Sequence, residues 1–223
     1  MIKYIIFDFD DTLSDFQLCK ENAKSKITPY LIAQGIDTES YWKTFEERFE
    51  RLFSRYINHE LTVREYRIAR YTHHGIDEEQ AAIYNEIYLK TVNKALLFDD
   101  VMPILSDLKE KGYKLYVLTN GPLSQRDKIE ACEAGKLFDR IFISAELGVG
   151  KPDTRVYDKV ISLIGCKASE ALMLGDSFEN DCVSAEKAGL AALQINRNNK
   201  QITDYKHQIS SLSEIYSYLT ERE

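Results

Sequence analysis

Carboxylate side chains directly follow the first apolar run of the chain. The stretch IIFDFDDTL, residues 5–13, begins apolar and then places Asp8, Asp10 and Asp11 within four positions. An apolar run of this length is typical of a buried strand, and side chains two positions apart on an extended backbone lie on the same side. Like charges this close cost free energy unless something offsets them. The stretch is therefore a candidate ligand-binding or catalytic site.

Polar segments also follow three of the later apolar runs. They are TNG at 119–121, GVGKPD at 148–153 and GDSFEND at 175–181. In open parallel sheets, ligands bind beyond the carboxyl ends of the strands, so we expect these segments to meet the first one at a single edge. Four strand ends that all carry reactive or phosphate-binding side chains are not an outcome of packing alone.

The acidic residues at these ends suggest a metal. Two carboxylates ~4 Å apart repel by ~4 kcal/mol at an effective dielectric near 20. If Asp8, Asp10 and Asp176 converge, a bound cation would offset that repulsion. Oxygen ligands without a nearby His or Cys suit a hard ion, and Mg²⁺ fits best. Because Mg²⁺ keeps several waters and is completed by substrate phosphate, phosphoryl transfer is the natural chemistry.

Alternating strands and helices must position these segments. Apolar runs predict five strands, at 3–7, 113–118, 138–144, 171–174 and 190–195. Helical patterns fall between and after them, at 100–112, 123–134, 152–164, 180–188 and from 213 onward. Strands separated by helices of this length are typical of βαβ units. The sequence therefore predicts an α/β fold with a parallel sheet.

Residues 16–95 carry helical signals and almost no strand signals. TVRE at 62–65 is a capping box and DEEQ at 77–80 is its Asp form, while aromatic residues recur at three- and four-residue steps over 41–56. We expect about four helices, inserted after strand one as a cap over the sheet. The predicted domains are a catalytic core, residues 1–15 and 96–223, and an all-helical cap, residues 16–95.

Two local predictions concern polar residues outside the strand ends. Asp100 is a candidate N-cap for the helix that carries Pro103 in its first turn. The run NRNNK at 196–200 is expected to be a polar surface loop with no further role.

Composition excludes several classes of protein. The 223 residues are 44% hydrophobic, and 29 Lys+Arg against 36 Asp+Glu give a formal charge of −7. A net acidic surface disfavours non-specific binding to nucleic acid or membranes. The four cysteines are far apart, and the opening apolar run breaks at Asp8, so neither a disulfide framework, a secretion signal nor a membrane span is expected. We expect a cytoplasmic protein, monomeric or homodimeric.

The ordered set of strand-end motifs resembles a known superfamily. DFDDT at 8–12, Thr119 ending a strand, KP at 151–152 and GDSFEND at 175–181 are similar to the four motifs of the haloacid dehalogenase-like (HAD) superfamily. The resemblance covers essentially the whole chain, since a helical insertion after the first motif is one of that superfamily's caps. It implies a doubly wound, Rossmann-like sheet with strand order 3-2-1-4-5.

The resemblance also implies roles for the acidic residues. Asp8 would be the nucleophile that forms an aspartyl-phosphate, and Asp10 would protonate the leaving oxygen and then activate water. Asp8, the carbonyl oxygen of Asp10, and Asp176 would bind Mg²⁺, with Asp181 behind them as an orienting group.

Three further residues are implied to bind the substrate's phosphate. Thr119 and Lys151 would hold the phosphoryl oxygens, and Lys151 would also offset the negative charge around Asp8. Asn120 would contribute its main-chain amide.

Finer similarity indicates a phosphatase acting on a small phosphorylated metabolite. Dehalogenases of the superfamily lack an acid at the position of Asp10, because halide leaves without a proton. The segments TNG at 119–121, QRDKIE at 125–130 and SAELGVGKP at 144–152 look like those of pyrimidine 5′-nucleotidases. The segment RDKIEAC at 126–132 also looks like that of N-acylneuraminate 9-phosphatases. Nucleoside 5′-monophosphates are therefore the favoured substrates. A sugar-phosphate phosphatase or a phosphomutase is the alternative, and a 2-haloacid dehalogenase or an inactive binding module is less favoured.

Overall fold

The computed structural model describes residues 1–58, 60–197 and 204–221 and divides into two compact units. A core unit comprises Met1–Phe16 and Lys94–Glu223, and a helical unit comprises Gln17–Asn93. Among the described residues, no helix combines the length and the apolar character needed to cross a bilayer.

Among the residues that the structure describes, a six-stranded parallel sheet organises the core unit, in the order β3-β2-β1-β4-β5-β6. The strands are β1 Tyr4–Phe7, β2 Lys114–Thr119, β3 Arg140–Ile143, β4 Ala171–Gly175, β5 Ala191–Ile195 and β6 Gln208–Ile209. The α/β fold and the strand order 3-2-1-4-5 are confirmed. The added edge strand β6 was not predicted, because two residues are too short to show a periodic pattern.

Over its described residues, the helical unit consists of four helices: α1 Phe16–Ala33, α2 Thr38–Ile57, α3 Val63–Ala69 and α4 Glu78–Val92. Both predicted helix N-caps, at Thr62 and Asp77, are present. Thr62 Oγ1 accepts a hydrogen bond from Glu65 N–H while the Glu65 carboxylate accepts one from Thr62 N–H. Asp77 accepts one from Gln80 N–H at 2.9 Å. The two caps fix where α3 and α4 begin.

The described part of the core unit contains six α-helices: α5 Val101–Glu110, α6 Ser124–Ala131, α7 Ser144–Leu147, α8 Arg155–Ile164, α9 Ser184–Lys187 and α10 Ile215–Thr220. A π-helical turn, Phe178–Val183, precedes α9.

Both faces of the sheet are buried, as expected for a doubly wound fold. Ile5 and Phe7 of β1 pack in one apolar cluster with residues of α5 and α10. Ile6, which points the other way, packs in a second cluster with residues of α8 and α9. Helices therefore cover both sides and leave the carboxyl edge of the sheet for polar residues.

Strand register determines which residues meet at that edge. Phe7 pairs with Val117 on one side and with Leu174 on the other, and Asp8 N–H donates to the Leu174 carbonyl at 2.8 Å. Asp8, Thr119 and Asp176 therefore lie at the carboxyl ends of three neighbouring strands, at nearly the same position along the strand direction.

Two sequence predictions outside this edge need correction. Asp100 is at the predicted N-cap position of α5, but its side chain makes no capping hydrogen bond there. It accepts hydrogen bonds from Leu212 N–H at 2.8 Å and from Arg197 at 3.1 Å. Arg197 is not part of a simple surface loop, since its side chain is 8% exposed, stacks on Phe98 and donates to the Thr12 carbonyl. The rest of that predicted loop, residues 198–200, lies outside the described residues. Burial of the Arg197 charge explains both differences, because it requires the Asp100 carboxylate as its partner.

Candidate active site

Three carboxylates converge at the carboxyl edge of the sheet. Asp8 follows β1, Asp176 follows β4 and Asp181 lies in the π-helical turn. Each offers one oxygen within 4.8 Å of the others. Asp8 and Asp181 are almost fully buried. Asp8 and Asp176 are thus close enough to share one cation.

Lys151 connects two of these carboxylates. Its Nζ lies 2.7 Å from Asp8 Oδ1 and 2.6 Å from Asp181 Oδ1, and its side chain is buried. Burial alone would lower the pKa of Lys151, but the Asp181 and Asp8 carboxylates outweigh it and raise that pKa above its usual value. The residue therefore remains a cation beside Asp8.

The Asn120 side chain positions Lys151. Its Nδ2 donates to the Lys151 carbonyl at 2.7 Å, and its Oδ1 accepts from the Lys151 N–H at 2.9 Å. A Cβ on Gly150 would lie 2.6 Å from Asn120 Oδ1, so this approach requires glycine. Thr119 is buried, and its hydroxyl donates to the Asn120 carbonyl at a long 3.4 Å.

Asp181 is held by both of its oxygens. Oδ1 accepts from Lys151, and Oδ2 accepts from Ser177 N–H at 3.0 Å. Its carboxylate lies against Gly175, where an added Cβ would come within 2.2 Å of Oδ2. Below it, the Tyr157 hydroxyl donates to the Asn180 carbonyl at 2.8 Å.

The Asp10 carboxylate has different partners. Oδ1 accepts from Lys128 Nζ at 2.5 Å, and Oδ2 accepts from Gln125 Nε2 at 2.8 Å. Within the described chain, the carboxylate cluster therefore contains Asp181 where the sequence suggested Asp10. The predicted metal contact of Asp10 goes through its carbonyl oxygen and stays a prediction.

A single cavity of about 150 Å³ brings all the predicted site residues together. Its lining includes Asp8, Asp10, Thr119, Asn120, Lys151, Asp176 and Asp181, as well as Ser177 and Asn180.

The chemistry of this cluster fits a hard divalent cation. Burial, followed by the Asp181 and Asp11 carboxylates, raises the pKa of Asp176 to about 7. Burial also raises the pKa of Asp8 well above its ordinary value, with Asp181 and Asp176 adding to the effect and Lys151 opposing it. One lysine does not offset three carboxylates, and their oxygen atoms are the ligands that Mg²⁺ prefers. The residues present therefore fit a bound Mg²⁺.

Sequence reasoning missed several residues around the site. Gln125 and Lys128 were noted only as part of a resemblance, although their three-residue spacing on α6 places them on one face of that helix. Gln194, which donates to the Asp176 carbonyl at 3.0 Å, and Tyr157 carry no local signal, because their contacts join distant parts of the chain.

Several known proteins are similar in sequence to this chain. The family model for haloacid dehalogenase-like hydrolases matches residues 2–189. A glyceraldehyde 3-phosphate phosphatase from Methanothermobacter thermautotrophicus is 29% identical over 201 residues, covering 88% of this chain and 86% of that protein. The pyrimidine 5′-nucleotidase PynA from Streptococcus pneumoniae is 26% identical over 245 residues, with 97% and 92% covered. The N-acylneuraminate-9-phosphatase of Mus musculus is 36% identical over 107 residues, 47% of this chain and 43% of that protein.

A solved structure agrees with the sequence relatives. The HAD-hydrolase YfnB from Bacillus subtilis, in a form bound to magnesium, superposes with a TM-score of 0.79 at 25% identity, covering 98% of this chain and 99% of that one. The predicted enzyme class, a phosphoric monoester hydrolase, is confirmed by the curated relatives. With the family match spanning most of its length and the strand-end residues gathered in one cavity, the chain belongs to the haloacid dehalogenase-like hydrolases.

Proposed function

We propose that this protein is a Mg²⁺-dependent phosphomonoester hydrolase that acts through an aspartyl-phosphate on Asp8. The observation that carries the proposal is the pairing of Asp8 with Lys151 at 2.7 Å. An Asp176 carboxylate oxygen lies within 4.8 Å of one of Asp8, close enough for both to bind one cation. The phosphatase names of the relatives and the magnesium bound to YfnB support it.

In the first step, an Asp8 oxygen attacks the phosphorus of the substrate. The bond between phosphorus and the ester oxygen breaks, and Asp10 gives its proton to that leaving oxygen. In the second step, Asp10 takes a proton from water, which attacks the same phosphorus. The bond to Asp8 then breaks, and inorganic phosphate is released.

Charge around the phosphoryl group is balanced by this chain's own residues and by the metal. Lys151 and the Thr119 hydroxyl hold phosphoryl oxygens, together with the main-chain amide of Asn120. Asp8, the Asp10 carbonyl oxygen and Asp176 would hold the cation, while Asp181 orients Lys151. When bound, Mg²⁺ offsets the carboxylate charge and polarises a phosphoryl oxygen.

The helical unit acts as the cap that selects the substrate, for which nucleoside 5′-monophosphates are favoured. This unit contains a cavity of about 410 Å³ lined by the rings of Trp42, Phe45, Phe49 and Tyr88, with Lys20 and Lys24 among its charged residues. Aromatic faces suit a planar base. Glyceraldehyde 3-phosphate and sugar phosphates are the competing class, as several relatives are glyceraldehyde 3-phosphate phosphatases.

The deciding experiment measures phosphate release from a panel of UMP, dUMP, glyceraldehyde 3-phosphate and sugar phosphates, with Mg²⁺ and with EDTA. Asp8→Asn should reduce kcat by at least about 10³-fold, because it removes the nucleophile. Asp107→Asn is the matched control and should keep full activity, because it alters a carboxylate of α5 that pairs with Lys111 just after that helix. Equal activity of Asp8→Asn and the native protein would refute the proposal. A clear preference for sugar phosphates would refute only the nucleotide preference.

The remaining expectations concern the binding partners, the location and the oligomeric state of the enzyme. A net charge of −7 supports a small-molecule substrate rather than a nucleic acid or membrane partner. We place the enzyme in the cytoplasm, as a monomer or homodimer.

A further inference from the structure

Two residues of α6 fix both oxygens of the Asp10 carboxylate. Lys128 Nζ donates to Oδ1 and Gln125 Nε2 donates to Oδ2, at 2.5 and 2.8 Å. The Lys128 side chain is only 2% exposed. Within the described ranges, Asp10 is the one carboxylate that Lys128 pairs with. A buried ammonium directed at a single carboxylate is costly unless that carboxylate stays in place.

The surroundings hold the two donors in position. The Lys128 ammonium lies 4.7 Å from the ring centre of Phe16 and 5.5 Å from that of Phe9. Gln125 passes so close to Gly121 that a Cβ there would lie 2.6 Å from Gln125 Cγ. The arrangement is therefore built into the start of α6 and the loop before it.

We propose that Gln125 and Lys128 are positioning residues that orient Asp10 for proton transfer to the leaving oxygen. The inference rests on the proposed function, in which Asp10 protonates the ester oxygen as its bond to phosphorus breaks. Each carboxyl oxygen has two lone pairs, so one donor per oxygen leaves room for the transferred proton. When Asp10 gives that proton up, the Lys128 charge faces the carboxylate that forms.

This role predicts an effect that depends on the leaving group. A p-nitrophenolate leaves readily without a proton. An unsubstituted phenolate is more basic and depends more on protonation, and an alkoxide depends on it most. A residue that orients the proton donor should therefore matter little for p-nitrophenyl phosphate and much more for phenyl phosphate. A merely structural residue should lower kcat for both substrates by the same factor.

The test measures kcat and KM for a series of substituted phenyl phosphates. Lys128→Met should lower kcat on phenyl phosphate by about 10²-fold, within the range for general acid catalysis, with less than about threefold loss on p-nitrophenyl phosphate. Its KM should not change for either substrate. Lys128→Arg should restore most of the rate on phenyl phosphate. Gln125→Leu should show the same dependence at about tenfold, and it decides the matter if Lys128→Met fails to fold.

Arg126→Met is the control on the same helix, because Arg126 pairs with Glu146 and Glu130. It should lower stability and leave the ratio between the two substrates unchanged. An equal loss on all substrates in both the Lys128 and Gln125 variants would overturn the positioning role. If instead Asp8→Asn keeps its activity on p-nitrophenyl phosphate, the proposed function itself fails, so the two failures are distinguishable.

Discussion

The side chain of Asn120 binds the main chain of Lys151 at both its carbonyl and its N–H, at 2.7 and 2.9 Å. The two residues follow different strands and are 31 positions apart. The side-chain amide of Asn120 therefore fixes the position of the Lys151 main chain, from which the ammonium group reaches Asp8 and Asp181.

Replacing Asn120 should release Lys151. Asn120→Ala leaves two partly buried main-chain groups without partners, which costs about 1–3 kcal/mol of the free energy of unfolding. We also expect kcat to fall by roughly tenfold or more, because the ammonium is no longer fixed against the phosphate. Urea denaturation and steady-state kinetics measure the two effects. Asn93→Ala, at the end of α4, is the matched control, and a similar loss of activity there would argue against a specific role for Asn120.

Removing the Lys151 charge should destabilise the protein in a pH-dependent way. Lys151→Met leaves Asp8 and Asp181 buried without their counterion, at a cost of about 3–5 kcal/mol. Since burial raises the pKa of Asp8 well above its ordinary value, its carboxylate can take up a proton when Lys151 is gone, and the loss should be larger at pH 8 than at pH 5. Chemical denaturation at the two pH values tests this. A loss of equal size at both would show that the ion pairs are not its cause.

Stabilisation by Mg²⁺ should grow as the pH rises. The folded protein raises the pKa of Asp176 to about 7, so between pH ~4 and ~7 it binds a proton that the unfolded chain has released. The metal-free protein therefore loses stability as the pH rises through that range. Mg²⁺ binds the ionised form, so it should raise Tm more at pH 8 than at pH 5.5.

Asp176→Asn provides the comparison for that titration. In EDTA, the variant should lose less stability than the native protein between pH 5 and 8, because one titrating group is gone. Its Tm should also respond little to Mg²⁺. An undiminished Mg²⁺ response would remove Asp176 from the metal site.

A methyl group at Gly175 should disrupt the site by displacing the Asp181 carboxylate. In Gly175→Ala the new Cβ would lie 2.2 Å from Asp181 Oδ2, and Asp181 cannot retreat because Lys151 and Ser177 bind it. We expect a stability loss of about 1–3 kcal/mol from overpacking, together with weaker activation by Mg²⁺. Gly112→Ala separates the two effects. Its added Cβ meets open space but its φ of +89° strains the backbone, so it should lower stability and leave Mg²⁺ activation intact.

Much of the fold and site followed from local sequence signals. Apolar runs located the five main strands, and the polar segments that follow four of them indicated Asp8, Thr119, Lys151 and Asp176. These predictions work because a parallel sheet brings the carboxyl ends of its strands to one edge, whatever the sequence between them.

Other features depend on contacts that no local pattern encodes. Asp100 has the sequence context of a helix cap but pairs with Arg197, 97 positions away. Gln125 and Lys128 resemble ordinary surface residues of a polar helix until the structure shows them against Asp10. In each case a buried charge selects its partner from a distant segment, which only the folded chain reveals.

Main-chain hydrogen bonds join the two segments at which the chain leaves and re-enters the core unit. Phe98 N–H donates to the Leu13 carbonyl and Asp15 N–H donates to the Leu96 carbonyl, while Ser14 and Leu97 form an antiparallel bridge. These bonds close the insertion at its base, and the entropy of closing a loop grows only slowly with its length. The intervening eighty or so residues could therefore lengthen, shrink or be exchanged over evolutionary time with little penalty to the reaction chemistry. Such a joint would let one hydrolytic scaffold diversify its choice of metabolite by replacing a single contiguous piece of gene.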